Sequence, residues 1–369
     1  MGGALSNSLQ AQEQKSWFIR TMDWSYRIIQ GDSAKPYKKY IFAVPIIAYK
    51  PETKWILGVS IAHIFRTHYN NAGTRPSTLR LNISYSQMKQ FAIRPTIEYF
   101  SSDNALNIRA QYQYTDFAEY YWGIGPNTGA EQKELYHFKA QRAYAKIAHT
   151  FIGKWYAGLS YAYERMYQIA AEQGGLLKTS GVTGANGYTA SGLGFTVYHD
   201  NRDNIYYPLK GDFIEFNALH NNKGFGSSTH FNSFLLDARK FISFGKQQVL
   251  ALQLFMNTNT TQAPFRQMAT LGSDVFMRGY YTGRFRDLNA VAIQAEWRQF
   301  IWGPFGYVVF AGTGTVNREV SGLANGLKPN IGIGLRVKAI PRERVNVRLD
   351  FGFGNNGIKA MYLTLHEAF

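Results

Sequence analysis

The chain has 369 residues, with 40 Lys and Arg against 24 Asp and Glu, a formal charge of +16 and no cysteine. Absent thiols exclude disulfides, thiolate metal sites and a cysteine nucleophile, and no apolar run reaches the roughly 18 residues that a helical membrane span requires. The positive excess is scattered singly along the chain rather than gathered in blocks, and no nucleic-acid-binding motif accompanies it, so nucleic acid is excluded as a partner. Aromatic residues make up 16% of the chain and charged residues only 17%. That pairing of many rings with few charges is the composition of a membrane β-barrel, with an apolar band outside, a polar lumen and aromatic girdles at both interfaces. On this reading the basic residues serve the lumen and the anionic lipid or lipopolysaccharide headgroups at the interfaces.

Residues 1–40 do not alternate. Trp17, Phe18, Met22, Trp24, Ile28 and Ile29 fit one face of a short amphipathic helix, which Gly31 and Pro36 would end. We expect a periplasmic leader here, followed by a barrel over residues 41–369. The first strand is predicted over residues 41–49 and contains Pro45, which removes a ladder donor and marks an edge or seam. Further strands are predicted over 55–66, 78–87, 90–100, 105–116, 135–149, 155–167, 191–199, 212–219, 229–242 and 248–258. The fifth is the clearest: Leu106, Ile108, Ala110, Tyr112 and Tyr114 alternate with Asn107, Arg109, Gln111 and Gln113.

A long irregular loop follows, rich in glycine. After it, five strands are predicted over 289–301, 306–316, 331–337, 345–353 and 358–369. In the first of these, Val291, Ile293, Ala295 and Trp297 share one face, while Gln294, Glu296 and Arg298 share the other. Polar faces of this kind do not belong in a sandwich core; they suit a wall with lipid on one side and water on the other. The fold predicted is all-β, a transmembrane antiparallel barrel of about sixteen strands, short turns alternating with long loops.

Four stretches carry a resemblance. The loop between predicted strands eleven and twelve holds Met277-Arg278-Gly279-Tyr280. The turn between strands eight and nine reads Asp200-Asn201-Arg202-Asp203-Asn204, then Pro208 and Gly211. The first hairpin carries Pro45 and Pro51-Glu52-Thr53, and the last predicted strand ends on Phe369. Together they resemble the membrane domain of the BamA/TamA-type outer-membrane assembly family, also called the bacterial surface antigen family. The resemblance implies that the loop folds into the lumen, where Arg278 meets an acid on the inner wall. Glu296 is the partner it suggests, by charge-assisted contact, with Gly279 allowing the bend. The family's second acid is missing, because Gly312 stands in its place in Phe310-Ala311-Gly312-Thr313-Gly314.

The turn motif reads as structural, since Asp and Asn cap such turns, Pro208 fixes one φ and Gly211 relaxes another. A calcium loop would need a closing Glu that is absent. Pro45 and Phe369 mark the first and last strands, whose seam opens sideways in the family. Only residues 1–40 precede the barrel, so the likeness is to a member without the periplasmic POTRA domains. The resemblance implies a bacterial outer-membrane protein that assists insertion or translocation of proteins or lipids, within a complex of other outer-membrane or periplasmic subunits. A passive pore or structural barrel is the other expectation. No cofactor motif, metal-ligand spacing or Gly-x-Ser-x-Gly elbow points to an enzyme.

Overall fold

The computed structural model describes residues 39–50, 54–68, 73–245, 247–341 and 343–369. The expected leader helix over residues 17–29, with Gly31 and Pro36, lies outside them, as do Pro51, Glu52 and Thr53. Among the described residues, sixteen strands form one antiparallel sheet. In chain order they are β1 (Tyr40–Lys50), β2 (Lys54–Phe65), β3 (Ser77–Ser86), β4 (Phe91–Phe100), β5 (Leu106–Tyr121), β6 (Glu134–Ile152), β7 (Trp155–Ala170), β8 (Tyr188–Asp200), β9 (Gly211–Asn221), β10 (Phe231–Ser243) and β11 (Gln248–Asn259), then β14 (Asn289–Trp302), β15 (Phe305–Asn317), β16 (Lys328–Ile340), β17 (Val345–Phe353) and β18 (Lys359–Leu365). Two short strands inside the long loop, β12 (Ala269–Leu271) and β13 (Phe285–Asp287), pair with each other, and Arg286 of β13 also bridges Gly125. No helix among the described residues is long and apolar enough to cross a membrane.

Alternation in the sequence becomes an inside-out wall. On β14, Ile293 is 58% exposed while its neighbours Gln294 and Glu296 are buried. Leu252, Leu254, Val309, Ile331, Ile333, Leu335 and Phe351 face outward, and Gln253, Asn330, Arg336, Arg348 and Asp350 are buried on the inner face. Lipid replaces water outside, so apolar residues stay exposed there and charges collect inside. An outer-membrane strand needs about ten residues; β5, β6 and β7 run 16, 19 and 16, so this hairpin region projects beyond one rim.

An even strand number brings both chain ends to one rim. The turns at 201–210, 303–304 and 341–344 share it with Tyr40 and residues 366–369. We call it the near rim; the loops at 122–133, 171–187, 260–288 and 318–327 lie at the far rim. Among the described residues β1 pairs only with β2, and β18 only with β17. The two lie side by side without a ladder between them.

One expectation is corrected. The last strand does not run to Phe369. β18 ends at Leu365, and His366 adopts a left-handed φ of 66° that turns residues 366–369 away from the wall. Phe369 is buried against Tyr207, Phe241, Val249, Ala251 and Phe300. Beyond the left-handed turn the ring lies past the end of the strand, and the apolar cluster buries it at a gain of about 1.5–3 kcal/mol over exposure to water. Phe369 is therefore not a seam-strand residue.

Candidate functional site

The loop 260–288 lies against the inner faces of β14, β15 and β17. Arg278 is fully buried there, its guanidinium between two carboxylates: Nη1 donates to Asp350 Oδ2 at 2.6 Å and Nη2 donates to Glu296 Oε2. The guanidinium also stacks over the Phe310 ring, 3.5 Å from its centroid. Glu296 accepts from Arg298 at 2.6 Å, and Asp350 accepts from Arg336 at 2.5 Å and Arg348 at 3.0 Å. Arg336 in turn pairs with Glu367 at 2.7 Å, and Arg348 with Asp274 at 3.3 Å. Arg278, Arg298, Arg336 and Arg348 thus meet Glu296, Asp350, Glu367 and Asp274, four charges against four. Asp274 stays about half exposed, and the pairing of the other, buried members is what lets their charge persist away from water.

Glycines admit the loop to the wall. Gly279 has φ 114°, and a Cβ there would lie 2.8 Å from Phe353 N. A Cβ on Gly352 would lie 2.6 Å from the Arg278 carbonyl carbon. Tyr280 Oη donates to Pro329 O at 2.7 Å and accepts from Asn355 N at 2.9 Å, and Asn330 Nδ2 donates to Arg278 O at 2.9 Å. The structure therefore brings Arg278, Gly279, Tyr280 and Glu296 together.

Gly312 explains why its expected acid is absent. A Cβ there would come within 2.8 Å of Asn330 Oδ1 and 2.9 Å of Gln294 Cβ. Those amides fill the space, and the second carboxylate comes from Asp350, two strands further on. Alternation along β17 puts Asp350 on the polar face, but residue order carries no distance between it and Arg278. Arg336, Arg348 and Glu367 are members of the network that the sequence did not single out; their only signal is their regular place on the polar faces.

A second cluster closes the near rim. Asp200 accepts from Arg202 at 2.9 and 2.8 Å and from Arg75, in the turn before β3, at 2.5 Å. Asp203 Oδ1 accepts from Leu209 N at 2.9 Å and Lys210 N at 3.2 Å, while its other oxygen accepts from Arg344 at 2.5 Å. Gly211 has φ 107° and sits against Asn201 O. Pro208 follows Tyr206 and Tyr207, which turn into the barrel. Tyr206 packs with Ile64, Ile340 and Val345, and Tyr207 with Phe369. The turn is self-bonded, as its residue types suggest, but it also ties three turns into one floor.

Residues 366–369 complete that floor. His366 stacks on Tyr206 with centroids 4.6 Å apart, its Nε2 lies against Arg80 Nη2, and its backbone N donates to Asn346 O at 2.9 Å. Burial, reinforced by the charges of Arg80 and Arg348, pushes the imidazole well below its usual range, so it is neutral and accepts from Arg80. Arg298 Nη2 donates to the main-chain oxygen of Phe369 at 2.8 Å. The tail therefore touches both β3 and the network around Arg278. Pro45, the other seam residue, sits on edge strand β1 opposite Val59 of β2.

A barrel of sixteen strands with an inward loop pinned by an Arg-Gly-Tyr tip can be placed among known families. An Omp85 superfamily domain model matches residues 68–358. The chain belongs to the Omp85 superfamily. Among solved structures it is similar to BamA from Haemophilus ducreyi lacking POTRA domains 1–3, at 12% identity and a TM-score of 0.54, covering 90% of this chain and 75% of that one. It is similar also to CdiB from Acinetobacter baumannii, at 10% identity and a TM-score of 0.55, covering 90% of this chain and 65% of that one. No curated protein matches it. These likenesses show a shared fold, and with the superfamily they place this Omp85 barrel in the bacterial outer membrane.

Proposed function

We propose that this Omp85 barrel inserts or translocates polypeptides at the outer membrane through the β1–β18 seam, without enzymatic chemistry and within a complex whose other subunits deliver clients to the near rim. The observation that carries this is the unpaired seam: every other neighbouring pair of wall strands shares a ladder, while β1 and β18 do not. Unpaired N–H and C=O groups on an edge are a template for an added strand. Pro45 lies on that edge and contributes no donor to any ladder. The network around Arg278 ties the loop to β14 and β17, which favours movement at the seam over movement of the loop. In this reading Arg278, Gly279, Tyr280 and Glu296 are a lumen latch, and the Asp200–Gly211 turn is a structural brace.

The test is a lock. The chain has no native cysteine, so cysteine pairs scanned across residues 42–46 and 360–364 report only on the seam. In cells carrying an oxidised pair, outer-membrane barrels should fall in abundance and recover on reduction. Barrel levels that ignore the lock would sink the reading and leave a passive barrel. A pore version of that alternative is disfavoured by the filled lumen.

A further inference from the structure

Beside the seam lies a cavity of about 520 Å³ that mixes both faces of the wall. Outward-facing Pro45, Met361 and Leu363 line one side of it, and inward-facing Arg80, Asn82 and Arg94 the other. It adjoins the break in the ladder between β1 and β18.

Its charge is unbalanced. The acids nearby are already engaged: Asp274 by Arg348 at 3.3 Å, Glu367 by Arg336 at 2.7 Å, and Glu98 by Arg109 at 3.0 Å. Among the described residues, Arg80 and Arg94 have no carboxylate partner. The Arg80 Nε is buried without a hydrogen-bond partner in the protein, and the Asn82 side-chain amide lies beside it. In the β3–β4 ladder Asn82 stands opposite Arg94 and Arg80 opposite Thr96, so the two guanidiniums are diagonal neighbours on one face. Glu98, diagonal to Arg80 on its other side and shared with Arg109, offsets part of that charge, whereas Arg94 has no acid beside it on the ladder. The Arg94 fork, together with the Arg80 Nε that remains beside the Nη2 donating to His366, matches the oxygens of a phosphate.

We propose that Arg80, Asn82 and Arg94 form a site for the phosphate headgroup of an anionic lipid, whose acyl chains leave through the β1–β18 gap past Pro45, Met361 and Leu363 into the bilayer. The site rests on the open seam proposed above but not on polypeptide insertion. It assigns a role to positive charge that the Arg278 network does not use.

The test is native mass spectrometry of the full chain released from nanodiscs of phosphatidylglycerol or phosphatidylcholine, with Arg94→Gln, Arg80→Gln and, as a control on the outer wall, Lys240→Gln. Phosphatidylglycerol should be retained in preference to phosphatidylcholine, about tenfold less in R94Q and R80Q, and equally in K240Q. Millimolar inorganic phosphate should not displace it, because the acyl chains hold it. Equal retention of the two lipids, or retention unchanged in R94Q, overturns the site. Full displacement by inorganic phosphate overturns the lipid assignment in favour of a free anion, and a strand peptide bound in place of the lipid overturns it in favour of a client. Lost barrel assembly in the seam lock, with lipid retention unaltered in R94Q, overturns this site while the insertion reading stands.

Discussion

Arg278 shows what a single buried charge demands. Its guanidinium is shared between strands β14 and β17, so it joins parts of the wall that the hydrogen-bond ladder connects only through β15 and β16. Removing one partner from a buried, paired set leaves uncompensated charge and costs about 3–5 kcal/mol. Arg278→Ala should therefore lower the temperature at which the folded band disappears on an unboiled gel, and Arg278→Lys should fall between, since a single ammonium lacks the fork that reaches both acids. An unchanged transition in R278A would remove the latch from the account. Gly312→Asp is the sharper case. It restores the acid found in the family, yet its Cβ has no room beside Asn330 and Gln294. It should destabilise rather than tighten the barrel, by about 1–3 kcal/mol from overpacking; a higher transition temperature would show that the space yields.

Among the elements, the segment after β18 behaves as a strap. It leaves the sheet at His366, crosses beneath the lumen and is held by Arg80, Arg336, Asn346 and Arg298. Docked, His366 ionises well below its usual range; released into water it titrates near about 6.5. The sign follows. Above about pH 6.5 both forms are neutral and docking is undisturbed, whereas acidification below it protonates the released form first and favours release. A fluorine label on Ala368→Cys should report a growing undocked population between pH 7.5 and about 5.5, and His366→Gln should flatten that response. A flat response in the parent chain would mean that the imidazole does not govern docking. Phe369→Ala should raise the undocked fraction at every pH, because the ring supplies the apolar part of the contact.

At the scale of the whole molecule, a wide wall is packed from within. Above, Tyr121, Tyr136, Phe138, Met166, Tyr188, Phe231 and Phe265 form an apolar cap. Midway, the loop 260–288 and the Arg278 network occupy the lumen. Below, the turn 201–210 and residues 366–369 make the floor. A barrel of this strand number would otherwise leave an aqueous channel. We expect planar-bilayer recordings of the wild-type chain to show near-baseline current, and removal of residues 273–282 to open a steady conductance. The open form should favour anions, as the excess of basic side chains suggests. A large, steady wild-type current would contradict a packed lumen.

Strand number, membrane spanning and the faces of each strand were determined locally, because a period of two with lipid outside writes itself directly into residue order; Ile293 against Glu296 needs no distant neighbour to be read. The Arg-Gly-Tyr tip and the Asp200–Gly211 turn were legible for the same reason, since their residue types act on their own backbone. Only the tertiary structure decided which charges meet. Asp350, Arg336 and Glu367 are separated from Arg278 by dozens of residues, and closure of the barrel, not sequence spacing, sets their distances. It also decided the fate of Phe369: alternation carries a strand on to the end, but a neutral His366, a left-handed turn and an apolar floor built from three other elements draw that ring inward. Pairwise geometry across a closed wall is a property of the whole sheet, and no single stretch contains it.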